Sequence, residues 1–194
     1  MKNEDLVKLF LTQDLPNRIT KANCVSTLVV TKQNDTMFIS SYGTLIGYKT
    51  DKAVHVLNAN NTPFSQTTKK HISLLLSKAR ELVAEKLILT PIQRGENQVP
   101  NTDLLVQRFE AQMEYLSKGT DLISNKEKFI EVYNSYKKFL SVYGTTSKFV
   151  EKYNTIRVNI SDDKYMSDLE QQRLDYQRNS YDLEREGAQI LASV

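Results

Sequence analysis

Phe64-Ser65-Gln66-Thr67-Thr68-Lys69-Lys70-His71 stands where a run of strands gives way to a helix. After it, Ile72, Leu75, Leu76, Ala79, Leu82 and Val83 recur at helical spacing. That spacing predicts a helix over 67–86 with one face packed on a sheet, capped by Ser65 or Thr67. Before it, residues 58–63 form a polar loop ending in Pro63. Further upstream the period changes to two. Val54 and Val56 alternate against His55 over 53–57, which puts His55 on the outer, solvated face of a strand. Strands are expected over 44–48 and 36–41, the latter with Met37 and Ile39 on one face and Phe38 on the other. Gly43 between them marks a bulge or a tight corner. Residues 23–31 are rich in Val and Thr and read as one more strand. Connections this short imply an antiparallel meander.

The flanks are helical. Residues 4–13 carry Leu6, Val7, Leu9, Phe10 and Leu11 on a wide apolar face, with Asn3 as N-cap and a stop before Pro16. Residues 87–89 are a short extended piece. Pro91, Gly95 and Pro100 lie among polar residues, so the chain divides into a 1–90 α+β domain, a 91–102 linker and a 103–194 helical portion. Helices are expected over 103–117, stopped at Gly119, and over 124–142, stopped at Gly144. A further helical turn or two follows over 145–153. Residues 155–160 alternate as Ile156, Val158 and Ile160, and read as a strand added to a sheet edge. A final helix runs to residue 192. Its apolar stripe is sparse, so it is either lightly docked or half of a helix pair, which makes a homodimer through this C-terminal helix one expectation. The fold class is α+β: a small antiparallel β-sheet packed with one helix, followed by a mainly helical C-terminal portion.

The 194 residues are 40% hydrophobic and 25% charged, enough to bury a core. The net charge of +3 is unevenly placed, with 13 Lys/Arg against 8 Asp/Glu in residues 1–100 and 13 against 15 afterwards. The first half suits an anion; the second suits solvent or a protein surface. Cys24 is the single cysteine, so no intramolecular disulfide or thiolate cluster can form. Neither a signal peptide nor a window of ~20 apolar residues is present. The expectation is a cytoplasmic protein without a membrane partner.

No phosphate-binding loop, dinucleotide fingerprint, zinc pattern or nucleophile elbow occurs. Cys24 falls inside a predicted strand, and the carboxylates gather on the last helix as a wet face. The chain is therefore expected not to be an enzyme, with no catalytic residue, no metal and no cofactor. The strongest local candidate is the strand-to-helix junction. There Ser65, Thr67, Thr68, Lys69, Lys70 and His71 are placed to hold a phosphate or an acidic side chain, because a helix start leaves N–H groups free. The plainer alternative is that the hydroxyls only cap the helix and His71 packs beneath the sheet. The aromatic helix over 124–142, with Lys126, Lys128, Lys137 and Lys138, is either a base-stacking groove or core.

The run Phe38-Ile39-Ser40-Ser41-Tyr42-Gly43-Thr44-Leu45-Ile46, then Val54-His55-Val56-Leu57, then Ser65-Gln66-Thr67-Thr68-Lys69-Lys70-His71, resembles a small domain of unknown function. That domain is carried by many phage and prophage proteins of low-GC Gram-positive bacteria. The resemblance covers roughly residues 25–80; Gly47 departs from it, where alanine is expected. It adds Tyr42 and Thr44 to the expected binding set and implies a viral setting but no reaction. The leading expectation is a non-catalytic phage or mobile-element accessory protein that inhibits a host protein, such as a CRISPR-type defence target. The alternative is a nucleic-acid-binding protein of phage replication or recombination.

Overall fold

The computed structural model describes residues 2–13, 22–25, 27–58, 64–92 and 99–192, with side chains described except over 22–25 and 182–192. The expected stop at Pro16, the loop residues 59–63 and the linker residues 93–98 lie outside the described residues. The elements run α1 (Asn3–Thr12), β1 (Ala22–Val25), β2 (Leu28–Gln33), β3 (Thr36–Ser41), β4 (Thr44–Lys49), β5 (Val54–Leu57), α2 (Gln66–Leu82), β6 (Leu87–Thr90), α3 (Thr102–Leu116), α4 (Asp121–Tyr143), α5 (Val150–Asn159) and α6 (Asp163–Ala192). The fold is α+β with a mainly helical C-terminal part.

The strands form one six-stranded sheet in chain order, β1 to β6. Neighbours from β1 to β5 are antiparallel, as the short turns require. The sixth departs from the expected meander. The extended piece after α2 is a strand that pairs parallel with β5, Val54 opposite Leu87 through Leu57 opposite Thr90. A parallel neighbour needs a crossover, and α2 supplies it. The expected strand over 23–31 is in fact two, β1 and β2, separated by a turn at Thr27.

Alternation assigns the two faces. Met37, Ile39, Val54, Val56 and Leu89 pack with Leu6, Phe10, Ile72 and Leu75 from α1 and α2. The opposite face, at His55 and Ile88, is covered by α4. Ala53 and Ile88 join a second cluster with Phe109, Phe129, Tyr136 and Phe139. His55 is therefore fully buried, not solvated: an outward position on a strand is wet only when no helix lies on that face. The aromatic face of α4 is core, with Phe129, Val132, Tyr133, Tyr136, Phe139 and Leu140 buried at helical spacing. Lys138 turns aside to donate to the Ala84 carbonyl at 2.9 Å.

Two sequence expectations are corrected at the ends of helices. Residues 155–160 are not an edge strand; they lie largely in α5, where Tyr153 is buried and Val158 is 61% exposed. Tyr153, Ile156 and Ile160 satisfy helical spacing as well as Ile156, Val158 and Ile160 satisfy a strand, and three residues cannot separate the two periods. The cap of α1 is Lys2, whose N–H donates to the Asp5 carboxylate at 2.9 Å, one residue before the expected Asn3.

Gly47 of β4 faces α2. A Cβ there would lie 2.7 Å from the His55 carbonyl oxygen, 3.0 Å from Leu75 Cδ2 and 3.3 Å from Ile39 Cγ2. Alanine, the residue the sequence resemblance leads one to expect, has no room in this chain. Gly47→Ala should destabilise the protein by about 2–3 kcal/mol, since the nearest obstructing atom is β5 backbone and Leu75 of α2 must give as well. Urea unfolding of the two proteins side by side measures this; equal midpoints would mean that β5 and Leu75 do not close on Gly47 as described.

Candidate functional site

The site begins with a two-residue hairpin. Ser41 pairs with Thr44 across β3 and β4, leaving Tyr42 and Gly43 as the loop. Both loop residues have positive φ, 51° for Tyr42 and 75° for Gly43, as a primed hairpin turn demands. Glycine takes this conformation freely; tyrosine does not. The Tyr42 N–H is held by the Thr27 carbonyl at 2.9 Å, and its side chain is 59% exposed. The turn is thus a rigid tip carrying an aromatic ring into solvent.

The second component is the start of α2. Ser65 is the N-cap; its hydroxyl oxygen accepts the Thr68 N–H at 3.2 Å. This placed oxygen satisfies a helix donor that would otherwise need water, a contribution of about 1 kcal/mol. Phe64, Ser65, Thr67 and Thr68 come up against the hairpin tip, and together with Tyr42 and Thr44 they line an open cavity of about 400 Å³.

Beneath the cavity runs a chain of polar side chains. Ser65 Oγ lies 3.0 Å from Thr68 Oγ1, and Thr68 Oγ1 lies 3.4 Å from Ser41 Oγ. Ser41 Oγ lies 2.8 Å from His71 Nδ1, and His71 Nε2 lies 3.2 Å from Asn3 Nδ2 on α1. Ser41, Thr68 and His71 are all buried. Burial pushes the pKa of His71 below the ordinary histidine value, which favours the neutral ring. Each link offsets the desolvation of the next, so the chain is stable only as a set. Lys78 holds α1 against α2 from outside through Glu4 at 3.1 Å, and the Glu4 carboxyl sits below its usual range chiefly because of Lys78.

Of the expected binding residues, Tyr42, Thr44, Ser65, Thr67 and Thr68 meet around the one cavity. His71 lies under it as part of the polar chain, and Lys69 and Lys70 are exposed on α2 outside the lining. Sequence reasoning missed Ser41, Phe64 and Asn3. For Ser41 a signal was present: it continues the inward series Met37, Ile39, and a hydroxyl on an apolar face must have a partner. The partner for Ser41 is His71, thirty residues on.

The other histidine is built into the opposite face. His55 Nδ1 lies 2.8 Å from Thr90 Oγ1, and Nε2 lies 2.7 Å from the Tyr143 hydroxyl. Its ring stacks on Tyr48 at 4.2 Å between centroids. The group ties β4, β5, β6 and the end of α4 together. Among the described residues, no group of three or more His, Cys, Asp or Glu is placed to hold a metal ion. No helix among the described residues is long and apolar enough to cross a membrane. No family model, curated protein or solved structure matches this chain.

Burial pushes the pKa of His55 down to about 3. In the unfolded chain it titrates near the ordinary 6.5, so the unfolded state takes up the proton first. The stability contributed by neutral His55 is complete above that value and is lost as pH falls from it toward the folded value. Between pH 7 and pH 5 the loss should be about 2 kcal/mol. His71 shifts in the same direction, so the measurement is the difference in pH slope between the parent and His55→Gln, from urea midpoints at both pH values. Parallel slopes would show that His55 is not held neutral.

Proposed function

We propose that this chain is a non-catalytic binding protein of phage or mobile-element origin, acting in the cytoplasm of a host cell by occupying a host protein such as a component of a CRISPR-type defence system. The observation that carries the binding reading is the corner. Two separate stretches of chain, the β3–β4 hairpin tip and the start of α2, converge on one open cavity, and Tyr42 presents its ring to solvent from a backbone conformation that disfavours tyrosine. Such a residue at the tip of a hydrogen-bonded hairpin suits recognition, because little backbone entropy is left to lose on contact.

Gripping is favoured over reacting by the partners of the histidines. The ring nitrogens of His71 face Ser41 and Asn3, and those of His55 face Thr90 and Tyr143. All four are neutral groups. Ser41, the hydroxyl against His71, is fully buried and out of reach of a substrate. The phage setting and the host target rest on the sequence resemblance. A second reading, nucleic-acid binding in phage replication or recombination, draws on the exposed Lys69 and Lys70 at the start of α2.

The test is capture by the immobilised full chain from a lysate of a low-GC Gram-positive host, with and without nuclease and across salt. A host protein should remain after nuclease treatment, and raising salt should weaken it only modestly. A nucleic-acid partner would instead vanish with nuclease and lose about 10³ or more in affinity between roughly 50 and 200 mM salt. Tyr42→Asn should separate stability from function. Asparagine suits the positive φ, so the variant should gain about 0.5–1 kcal/mol of stability while losing the captured protein. Undiminished capture by that variant would remove the corner as the binding surface.

A further inference from the structure

Donor and acceptor counting gives the polar chain under the corner a direction. Asn3 Nδ2 can only donate, so His71 Nε2 accepts and the ring proton of the neutral imidazole is on Nδ1. Nδ1–H then donates to Ser41 Oγ, and the Ser41 hydroxyl donates to Thr68 Oγ1. Thr68 passes its own hydroxyl proton to its remaining neighbour, Ser65 Oγ. Ser65 Oγ also receives the Thr68 N–H, which fills both of its lone pairs. The Ser65 hydroxyl proton therefore has no acceptor among the described residues, and Ser65 is exposed on the cavity wall. Every link points the same way, from α1 toward the cavity, and donors in series polarise one another.

Among the described residues the cavity is lined by the Ser65 hydroxyl donor, by the aromatic residues Tyr42 and Phe64, and by further hydroxyls from Thr44, Thr67 and Thr68, with no charged side chain. A full negative charge would find no cation in that wall; Lys69 and Lys70 lie outside it. An uncharged acceptor flanked by a flat apolar group fits better. We infer that the corner cavity is a recognition site for a carbonyl oxygen of a polypeptide with an adjacent aromatic side chain, the carbonyl accepting from the Ser65 hydroxyl and the ring lying against Tyr42 and Phe64. The inference rests on the corner being the binding surface, and it names what the partner protein inserts there.

The experiment uses the full chain, isotopically labelled, titrated with N-acetyl-phenylalaninamide. The amide signals of Thr44, Ser65, Thr67 and Thr68 should shift and saturate with a Kd of about 1 mM, in keeping with the size of the probe. N-acetylglycinamide, which keeps the carbonyl and lacks the ring, should bind about tenfold more weakly. Inorganic phosphate should leave those signals in place. Ser65→Asp keeps an N-cap acceptor but has no hydroxyl proton, so the helix stays capped while affinity for the probe falls by about tenfold or more. Ser65→Thr restores the donor and should restore binding. The nitrogen spectrum of His71 should place its proton on Nδ1. Saturation by phosphate, full binding by Ser65→Asp, or a His71 proton on Nε2 would each overturn the assignment. A host protein captured through Tyr42 while the probe fails to bind would sink the carbonyl site alone. Probe binding without any host protein would support the carbonyl site and count against the proposed target.

Discussion

A parallel neighbour cannot be reached by a tight turn, so the pairing of Val54–Leu57 with Leu87–Thr90 obliges the chain to cross one face of the sheet. The crossing is α2, and much else follows from it. The crossover leaves β5 at its C-terminal end. β4 runs antiparallel to β5, with Gly47 opposite Val56, so that same end is where β4 begins and the β3–β4 hairpin turns. The N-terminus of α2 is thereby delivered to the hairpin tip. Residues more than twenty apart in the chain, Thr44 and Ser65, become walls of one cavity. The site is a consequence of connectivity before it is a matter of side chains.

The crossover also divides the labour between the two faces. With α1 and α2 on one side, the other face of β5 and β6 needs a cover, and α4 provides it. Ser135 of α4 accepts the Leu89 N–H at 3.2 Å, so the last strand is tied to the helix through its backbone. Arg80 of α2 meets Glu131 of α4 at 2.6 Å, an exposed pair that adds little energy but marks how the two layers meet around the sheet edge. Buried polar side chains gather into a bonded set at each interface: Ser41, Thr68 and His71 on the α2 side, His55, Thr90 and Tyr143 on the α4 side. Each set fixes one arrangement of helix on sheet, because a slide along the sheet would leave several buried groups without partners.

Local physics was legible in the sequence where it acted alone. The strands at Thr36–Ser41 and Thr44–Lys49, the Ser65 cap and the Gly144 stop follow from alternation, capping chemistry and positive φ, and they stand where those rules put them. What was illegible depended on distant chain. His55 reads as solvated until α4 is laid over it, eighty-odd residues later. Residues 87–89 read as a fragment, because a four-residue strand has meaning only beside β5. Ser41 reads as ordinary polarity until His71 arrives opposite. Of the five candidate residues that meet around the cavity, Ser65, Thr67 and Thr68 could be named because a helix start carries a short-range signature, while Tyr42 and Thr44 came from the sequence resemblance. Their union around one cavity could not, since it is set by the crossover.

Tyr42 shows how the two levels meet. Residues that suit a left-handed turn position are glycine, asparagine and aspartate; a tyrosine there costs about 1–2 kcal/mol of backbone strain. Strain of that kind persists when something compensates for it, and among the described residues little does. The ring is mostly in solvent, so its burial returns only part of its apolar area. The turn itself is held by Gly43, by the Ser41–Thr44 pairing and by the Thr27 carbonyl, none of which requires an aromatic side chain. Among the described residues, folding gives no reason for tyrosine at this position. The binding role proposed above would give one: the strain that slightly weakens the fold would be offset by contact of the ring with a partner.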